Sequence, residues 1–397
     1  MLHLCRSRSC ESSNPLHSWA GSLSDRMMGH WEQPEENSIE ALRHGMLFGD
    51  GVEFDLRVDG NGELAIFHDE FAPGEESIRE RCVENLPTDY LKSVGIATLN
   101  ELLACREFTD AWQSGGKTVD IEFKLPHPST KIETLEYLES IMEKLEESLE
   151  PLDLPDRSVI VSSFSPKIGE AAKASDFSIP VTRLMPHIRA WGRYWRVKRV
   201  FAMPHFASTT VKGITESLRA QGMESIGMSL EYLVGWPRYI HPGLPVGLHG
   251  RGLQRFFEAR RGMGAFVWKS PLKHEDALVN AGVSLVSDNM DPTVFEKPDG
   301  TPRWARPASQ PLDEEWGERI RKAGSSEKRD IMREAASSLP MWSEIGHVRR
   351  SRIVENQAKR MLWPGSDEKW VRLAEGGLPW GSPRIIGHRG AGTTHSG

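Results

Sequence analysis

The sequence predicts an α/β protein: a TIM-like (β/α)8 barrel with a mostly helical C-terminal extension. Three observations predict it. Short apolar runs alternate with amphipathic stretches from Arg26 to about residue 292. Roughly eight such runs fall within about 270 residues, against ~250 for a barrel of this kind. None of them is followed by the G-x-G-x-x-G turn of a dinucleotide-binding open sheet, the main structural rival.

Taken in order, "DRMMGH" reads as a brief first strand. "NSIEALRHGMLFG" reads as a helix capped by Asn37 or Ser38 and ended by Gly49 or Gly51, and "VEFDLRV" as the next strand. "ELAIF" is extended, "ATLNELLACREFTDAW" helical and "KTVDIEFKL" a strand. "STKIETLEYLESIMEKLEESLE" is a long charged helix with Leu135, Leu138, Ile141, Met142 and Leu145 on one stripe. "RSVIVSSF", "FSIPVTRL", "ESIGMSL", "GAFVWKS" and "VSLVSD" supply five more strands, and "KHEDALVNAG" places a helix closed by Gly282 between the last two. These boundaries divide the chain into a lead-in at 1–25, a barrel at 26–295, a helical extension or linker at 296–380 and a last segment at 381–397. The extension opens on the Pro-rich "EKPDGTPRWARPASQP" and carries helical segments near 313–338 and 353–375.

Bulk properties exclude more than they select. A net charge of −7 over 397 residues lacks the basic footprint of a nucleic-acid-binding protein, so a phosphate ligand would have to be held locally. Cys5, Cys10, Cys82 and Cys105 lack zinc-type spacing and are too few to staple such a chain, which points to a reducing compartment. The N-terminus has no apolar signal core and no stretch of ~18 apolar residues occurs, so the expected location is cytoplasmic. "RYWRVKRV" is a short basic and aromatic patch, suited at most to weak membrane-surface contact. The tryptophans of the tail, Trp304, Trp316, Trp342, Trp363, Trp370 and Trp380, read as core.

The chemistry concentrates in "VEFDLRVDGNGELAIFHDE". Alternate strand residues share a face, so Glu53 and Asp55 project together while Val52, Phe54 and Leu56 face the other way. Two carboxylates pointing into a barrel repel unless something positive lies between them, and a divalent cation meets that need. "VDIEFKL" repeats the pattern on the following barrel strand with Glu122, a third carboxylate, and Lys124, a cation placed to meet a phosphate. Hard oxygen ligands without a nearby cysteine favour Mg2+ or Ca2+. His68 and His30 each close an extended run on the same rim, a natural pair to take a proton from a nucleophile and return one to a leaving alcohol.

The succession "GHWEQPEENSIEAL…VEFDLRVDGNGELAIFHD…VDIEFK…VIVSSF…AFVWKS…GVSLVSDNMDP", over residues 27–292, resembles the glycerophosphodiester phosphodiesterases. The resemblance implies one divalent metal on Glu53, Asp55 and Glu122, with His30 and His68 as general acid and base. It further implies phosphate contact by Lys124, a pocket wall at Trp268, and Asn37 and Glu36 in the family's P-E-N element. The implied reaction is metal-dependent hydrolysis of a glycerophosphodiester to glycerol 3-phosphate and an alcohol. Two further readings stay open: a lysophospholipid-cleaving hydrolase on the same barrel, and an impaired barrel that binds such headgroups without turnover.

The departure lies in the first motif. The family's H-R-G, whose arginine meets the phosphate, reads His30-Trp31-Glu32 here, and His44, Arg57 and Lys269 are the basic residues available to compensate. An intact copy stands at the far end of the chain in "PRIIGHRGAG", with His388, Arg389 and Gly390 in family order. Residues 381–397 thus read as the truncated start of a second similar barrel, as a chance match, or as a tail that inserts beside a barrel and supplies Arg389.

Overall fold

The computed structural model describes residues 31–74, 81–185, 210–239, 244–268, 270–359 and 378–395. Parallel strands β1 (Gly51–Val58), β3 (Thr118–Phe123), β4 (Val159–Ser163), β5 (Val181–Arg183), β6 (Ser225–Ser229), β7 (Gly264–Trp268), β8 (Ser284–Ser287) and β9 (Ile385–Gly387) follow one another as β5-β4-β3-β1-β9-β8-β7-β6. A parallel bridge between Leu184 and Gly227 joins the two ends, so the eight staves close into the expected (β/α)8 barrel. The short strand β2 (Leu64–Ile66) pairs antiparallel with β1 outside the ring.

The period-2 pattern of β1 explains its place. Val52, Phe54 and Leu56 are fully buried against the helical layer, in one cluster with Leu42, Met46 and Ile141. Their burial removes the apolar face from water, while Glu53, Asp55 and Arg57 turn to the barrel interior. The long helix Thr134–Leu149 buries Leu138, Ile141, Met142 and Leu145, as its stripe predicts. The helix expected over "ATLNELLACREFTDAW" is instead two, Leu99–Leu103 and Arg106–Gln113, with a capping box at Thr98 and Glu101 opening the first.

The expected first stave, "DRMMGH", lies with the 1–25 lead-in and "RYWRVKRV" outside the described residues. The eighth stave is β9, from the end of the chain. Val52 pairs with Gly387 on one side; Leu285, Val286 and Ser287 pair with Ile385, Ile386 and Gly387 on the other. The segment that also read as the start of a second barrel is therefore a strand of this one. The physical reason is a slot between β1 and β8 whose unpaired backbone groups "RII" satisfies on both edges.

The extension makes this possible. Parallel β8 ends at the rim where β9 also ends, so the chain must return to the barrel floor before β9 can begin. Residues 296–359 do so with the helices Glu314–Lys322, Ser325–Ser338 and His347–Ala358, which bury Trp342, Ile320, Met332 and Val354 in two small cores. Asp50, at the foot of β1, is the buried anchor. Its carboxylate accepts from the amides of Ser309 (2.7 Å) and Ile385 (3.0 Å) and from the Ser309 hydroxyl (2.8 Å), tying extension and β9 to one point. Trp342 and Trp380 pack on the floor beside Gly116 and Gly264, which accords with the core reading of the tail tryptophans; Trp363 and Trp370 fall outside the described residues.

The helix Ile39–Phe48, capped by the Ser38 hydroxyl on the Ala41 amide, lies across β9. A Cβ at Gly45 in that helix would meet the Gly390 carbonyl oxygen at 2.1 Å, and one at Gly390 (φ 91°) would meet the Ala41 carbonyl carbon at 2.4 Å. Gly45→Ala removes a glycine from a helix interior, normally a gain of ~1 kcal/mol. Here the crowding reverses the sign, and a net loss of about 1–3 kcal/mol is expected in denaturant titration.

Candidate active site

The site forms at the rim where the parallel staves end. Asp55 and Glu122 are paired neighbours in the β1–β3 register and Glu53 lies one pleat deeper, so one carboxylate oxygen from each falls within 4.8 Å of the others. Glu53 and Asp55 are buried. Lys124, one residue beyond β3, sets its Nζ 2.9 Å from Asp55 Oδ1 and 2.5 Å from Glu122 Oε1. The two carboxylate strands thus converge as the alternation predicts.

Asn37, just before the Ser38 cap of the helix Ile39–Phe48, has φ 59°, a left-handed conformation that asparagine tolerates better than most residues. It donates from Nδ2 to Asp55 Oδ2 at 2.9 Å, accepts from the Asp55 amide on Oδ1 at 3.3 Å, and donates its own amide to the Arg389 carbonyl at 3.0 Å. It therefore grips both a ligand strand and the tail loop.

That loop supplies what the first motif lacks. Arg389 donates its amide to Glu53 Oε2 at 2.8 Å and sets its Nε 3.2 Å from Asp55 Oδ2, while its Nη1 pairs with Glu36. Glu36 also accepts from the amides of Thr394 (2.7 Å) and His395 (3.1 Å). His388 points Nε2 toward Glu53 Oε2 at 3.9 Å and sets Nδ1 2.6 Å from Asp288 Oδ1. His30 lies outside the described residues, and the imidazole seated beside Glu53 is His388. Among the basic residues considered as substitutes, Arg57 is paired with Glu84 at 2.8 Å and braces the His68 carbonyl at 3.2 Å. His44 is spent on the Met290 carbonyl at 2.7 Å, and Lys269 is outside the described residues.

His68 follows β2, its Nδ1 2.7 Å from Asp69 Oδ1, and it is among the groups that lower the Asp55 pKa. Trp268 closes β7 and meets Phe164 edge-on at 5.7 Å, forming an aromatic wall. Two partners escaped the sequence reading. Asp288 stood in plain view in "SDNM" at the end of β8, a position where barrels carry functional residues. Glu36 was aligned with the P-E-N element, but pairing with an arginine 353 positions away leaves no local trace.

Electrostatics fit a cation site. Burial, then the neighbouring Asp55, push Glu53 up to about 8. Burial also works to raise Asp55, but Lys124, His68 and Arg389 overcome it and hold that carboxyl below its usual range. Burial opposes the charge on His388, yet the bond to Asp288 and the field of Glu53 leave its pKa raised. Three carboxylates gathered at one point, offering hard oxygen donors only, suit a divalent cation.

The sequence pattern of the glycerophosphoryl diester phosphodiesterase family matches residues 21–224, just over half of the chain. The chain belongs to that family. No curated protein matches it. Solved structures with a similar fold include an Oleispira antarctica phosphodiesterase in complex with the product sn-glycerol-3-phosphate, 17% identical, covering 64% of this chain and 87% of that one at a TM-score of 0.42. Glycerophosphodiester phosphodiesterases from Thermotoga maritima (16% identical, 64% and 84% covered, TM-score 0.38) and Parabacteroides distasonis (16%, 64% and 86%, 0.41) are also similar. As a family member the chain is a phosphodiesterase, and the described stave between β1 and β8 is β9, which leads into His388, Arg389 and Gly390. Among the described residues no helix is long and apolar enough to cross a membrane.

Proposed function

We propose that this chain hydrolyses glycerophosphodiesters to glycerol 3-phosphate and an alcohol, with His388 and His68 as the acid–base couple. The observation that carries this reading is the convergence of Glu53, Asp55 and Glu122 beside Lys124, Arg389 and His388 at one barrel mouth. Glu53, Asp55 and Glu122 would hold one Mg2+ or Ca2+, which when bound would neutralise phosphate charge and acidify a coordinated hydroxyl.

The chain's own residues carry the rest. Lys124 and Arg389 present positive charge to the non-bridging phosphate oxygens, where charge grows as the nucleophile closes on phosphorus. The nucleophile is a hydroxyl: water yields glycerol 3-phosphate directly, whereas the substrate's own glycerol hydroxyl yields a cyclic glycerol phosphate that a water then opens by a second displacement at phosphorus. As its oxygen bonds to phosphorus, one imidazole takes its proton; as the bond from phosphorus to the alcohol oxygen breaks, the other imidazole protonates that oxygen. Asn37 keeps Asp55 and the tail loop in register, and Trp268 with Phe164 forms an aromatic wall at the mouth. The impaired-barrel reading draws its ground from Trp31 and Glu32 in the first motif; the guanidinium of Arg389 beside Asp55 supports the hydrolytic reading.

Glycerophosphocholine incubated with Mg2+ or Ca2+ is expected to release choline. Glu53→Gln and His68→Gln should each lower kcat by about 100-fold or more, as loss of an acid–base or charge-stabilising group does. Retention of full turnover by both variants, or tight binding of the diester without product, would defeat the proposal.

A further inference from the structure

We propose that Asp288 is the positioning residue of His388, and that its carboxylate couples docking of the C-terminal loop to arming of that imidazole. The inference rests on the acid–base role given above to His388. Asp288 comes from the end of β8 and His388 from the end of β9, 100 positions later. The His388 amide donates to the Ser287 carbonyl at 2.9 Å, so backbone pairing delivers the ring to the carboxylate.

With Nδ1–H given to Asp288 at 2.6 Å, the tautomer is set and Nε2 is the nitrogen left facing Glu53 and the phosphate. An imidazole without that partner would distribute its proton between both nitrogens and rotate about χ2. The same Oδ1 accepts from the amide and hydroxyl of Thr393, both at 3.2 Å, and Gly392 turns at φ 105° where a Cβ would meet the Asp288 carbonyl oxygen at 2.2 Å. The His388–Thr393 loop therefore folds around this one carboxylate. A tail that is not docked leaves Nδ1 without its acceptor and the site without its arginine at the same time.

Steady-state hydrolysis of glycerophosphocholine by the full chain tests this, alongside 15N signals of the histidine rings in the metal-free protein at alkaline pH. In the wild type His388 should show the Nδ1–H tautomer. Asp288→Ala should shift it toward Nε2–H and lower kcat by about 100-fold, with KM changed by no more than about twofold. Asp288→Glu should restore part of the loss. Thr393→Val removes a docking contact while sparing the imidazole's partner, so it should keep kcat within about threefold of wild type.

The proposal is overturned if Asp288→Ala turns over like wild type, or if Thr393→Val loses as much as Asp288→Ala, since docking alone would then account for the effect. Should the wild type fail to hydrolyse the diester at all, the functional reading falls instead. The ring tautomer then decides the positioning role: an unchanged Nδ1–H signal in Asp288→Ala ends it.

Discussion

A chain lacking residues 381–397 is expected to lose hydrolysis of glycerophosphocholine altogether. That segment brings β9, which pairs with both β1 and β8, and the only arginine that reaches Asp55 among the described residues. Truncation also strands the Asp50 carboxylate, whose acceptance from the Ile385 amide would be lost in a fully buried place. Because truncation also removes a stave paired on both edges, two single changes separate chemistry from folding. Arg389→Ala forfeits charge-assisted contacts worth ~1.5–3 kcal/mol each, about 10- to 100-fold in kcat/KM. His388→Ala removes one half of the proposed acid–base couple and should cost about 100-fold or more in kcat. Both are expected to melt as cooperatively as the wild type. Unchanged turnover in the truncated chain would dispose of the tail's role outright.

Asp55→Ala is expected to have the largest combined effect of any single change. Asp55 is the carboxylate on which Lys124, Arg389 and Asn37 converge, at 2.9, 3.2 and 2.9 Å. Removing it leaves two largely buried cations facing each other, and breaking such an arrangement typically costs ~3–5 kcal/mol. It also takes away a proposed ligand of the cation, so calorimetric titration with Mg2+ and Ca2+ should register no uptake where the wild type is expected to take up one ion. Asp55→Asn separates the two consequences. The amide keeps the volume and one acceptor, so stability should recover in part while ion uptake does not. If Asp55→Ala binds the ion as tightly as wild type, the carboxylates of β1 are not its ligands.

Much of this site was legible from short-range pattern. Glu53 and Asp55 one position apart in an apolar strand, and Glu122 with Lys124 in the same phase of the next barrel strand, announce a charged interior because a strand's side chains alternate. Strand–helix alternation announced the barrel for a related reason, since each stave buries its other face against its own helix. Distant pairings are a different matter. Nothing near Asp288 shows that its partner is 100 residues away, nor does Glu36 reveal Arg389.

What the residues determined unaided is the class of barrel, the three-carboxylate cluster and the basic groups available to a phosphate, because each depends on spacing within a few residues. That the G-H motif at Gly387 and His388 enters the barrel was left to the tertiary structure. Its entry turns on the unpaired edges of β1 and β8, on Asp50 at the floor, and on Gly45, whose missing side chain leaves room for the Gly390 carbonyl. Edges, anchors and clearances exist only once the chain has closed on itself, so no local stretch of sequence contains them.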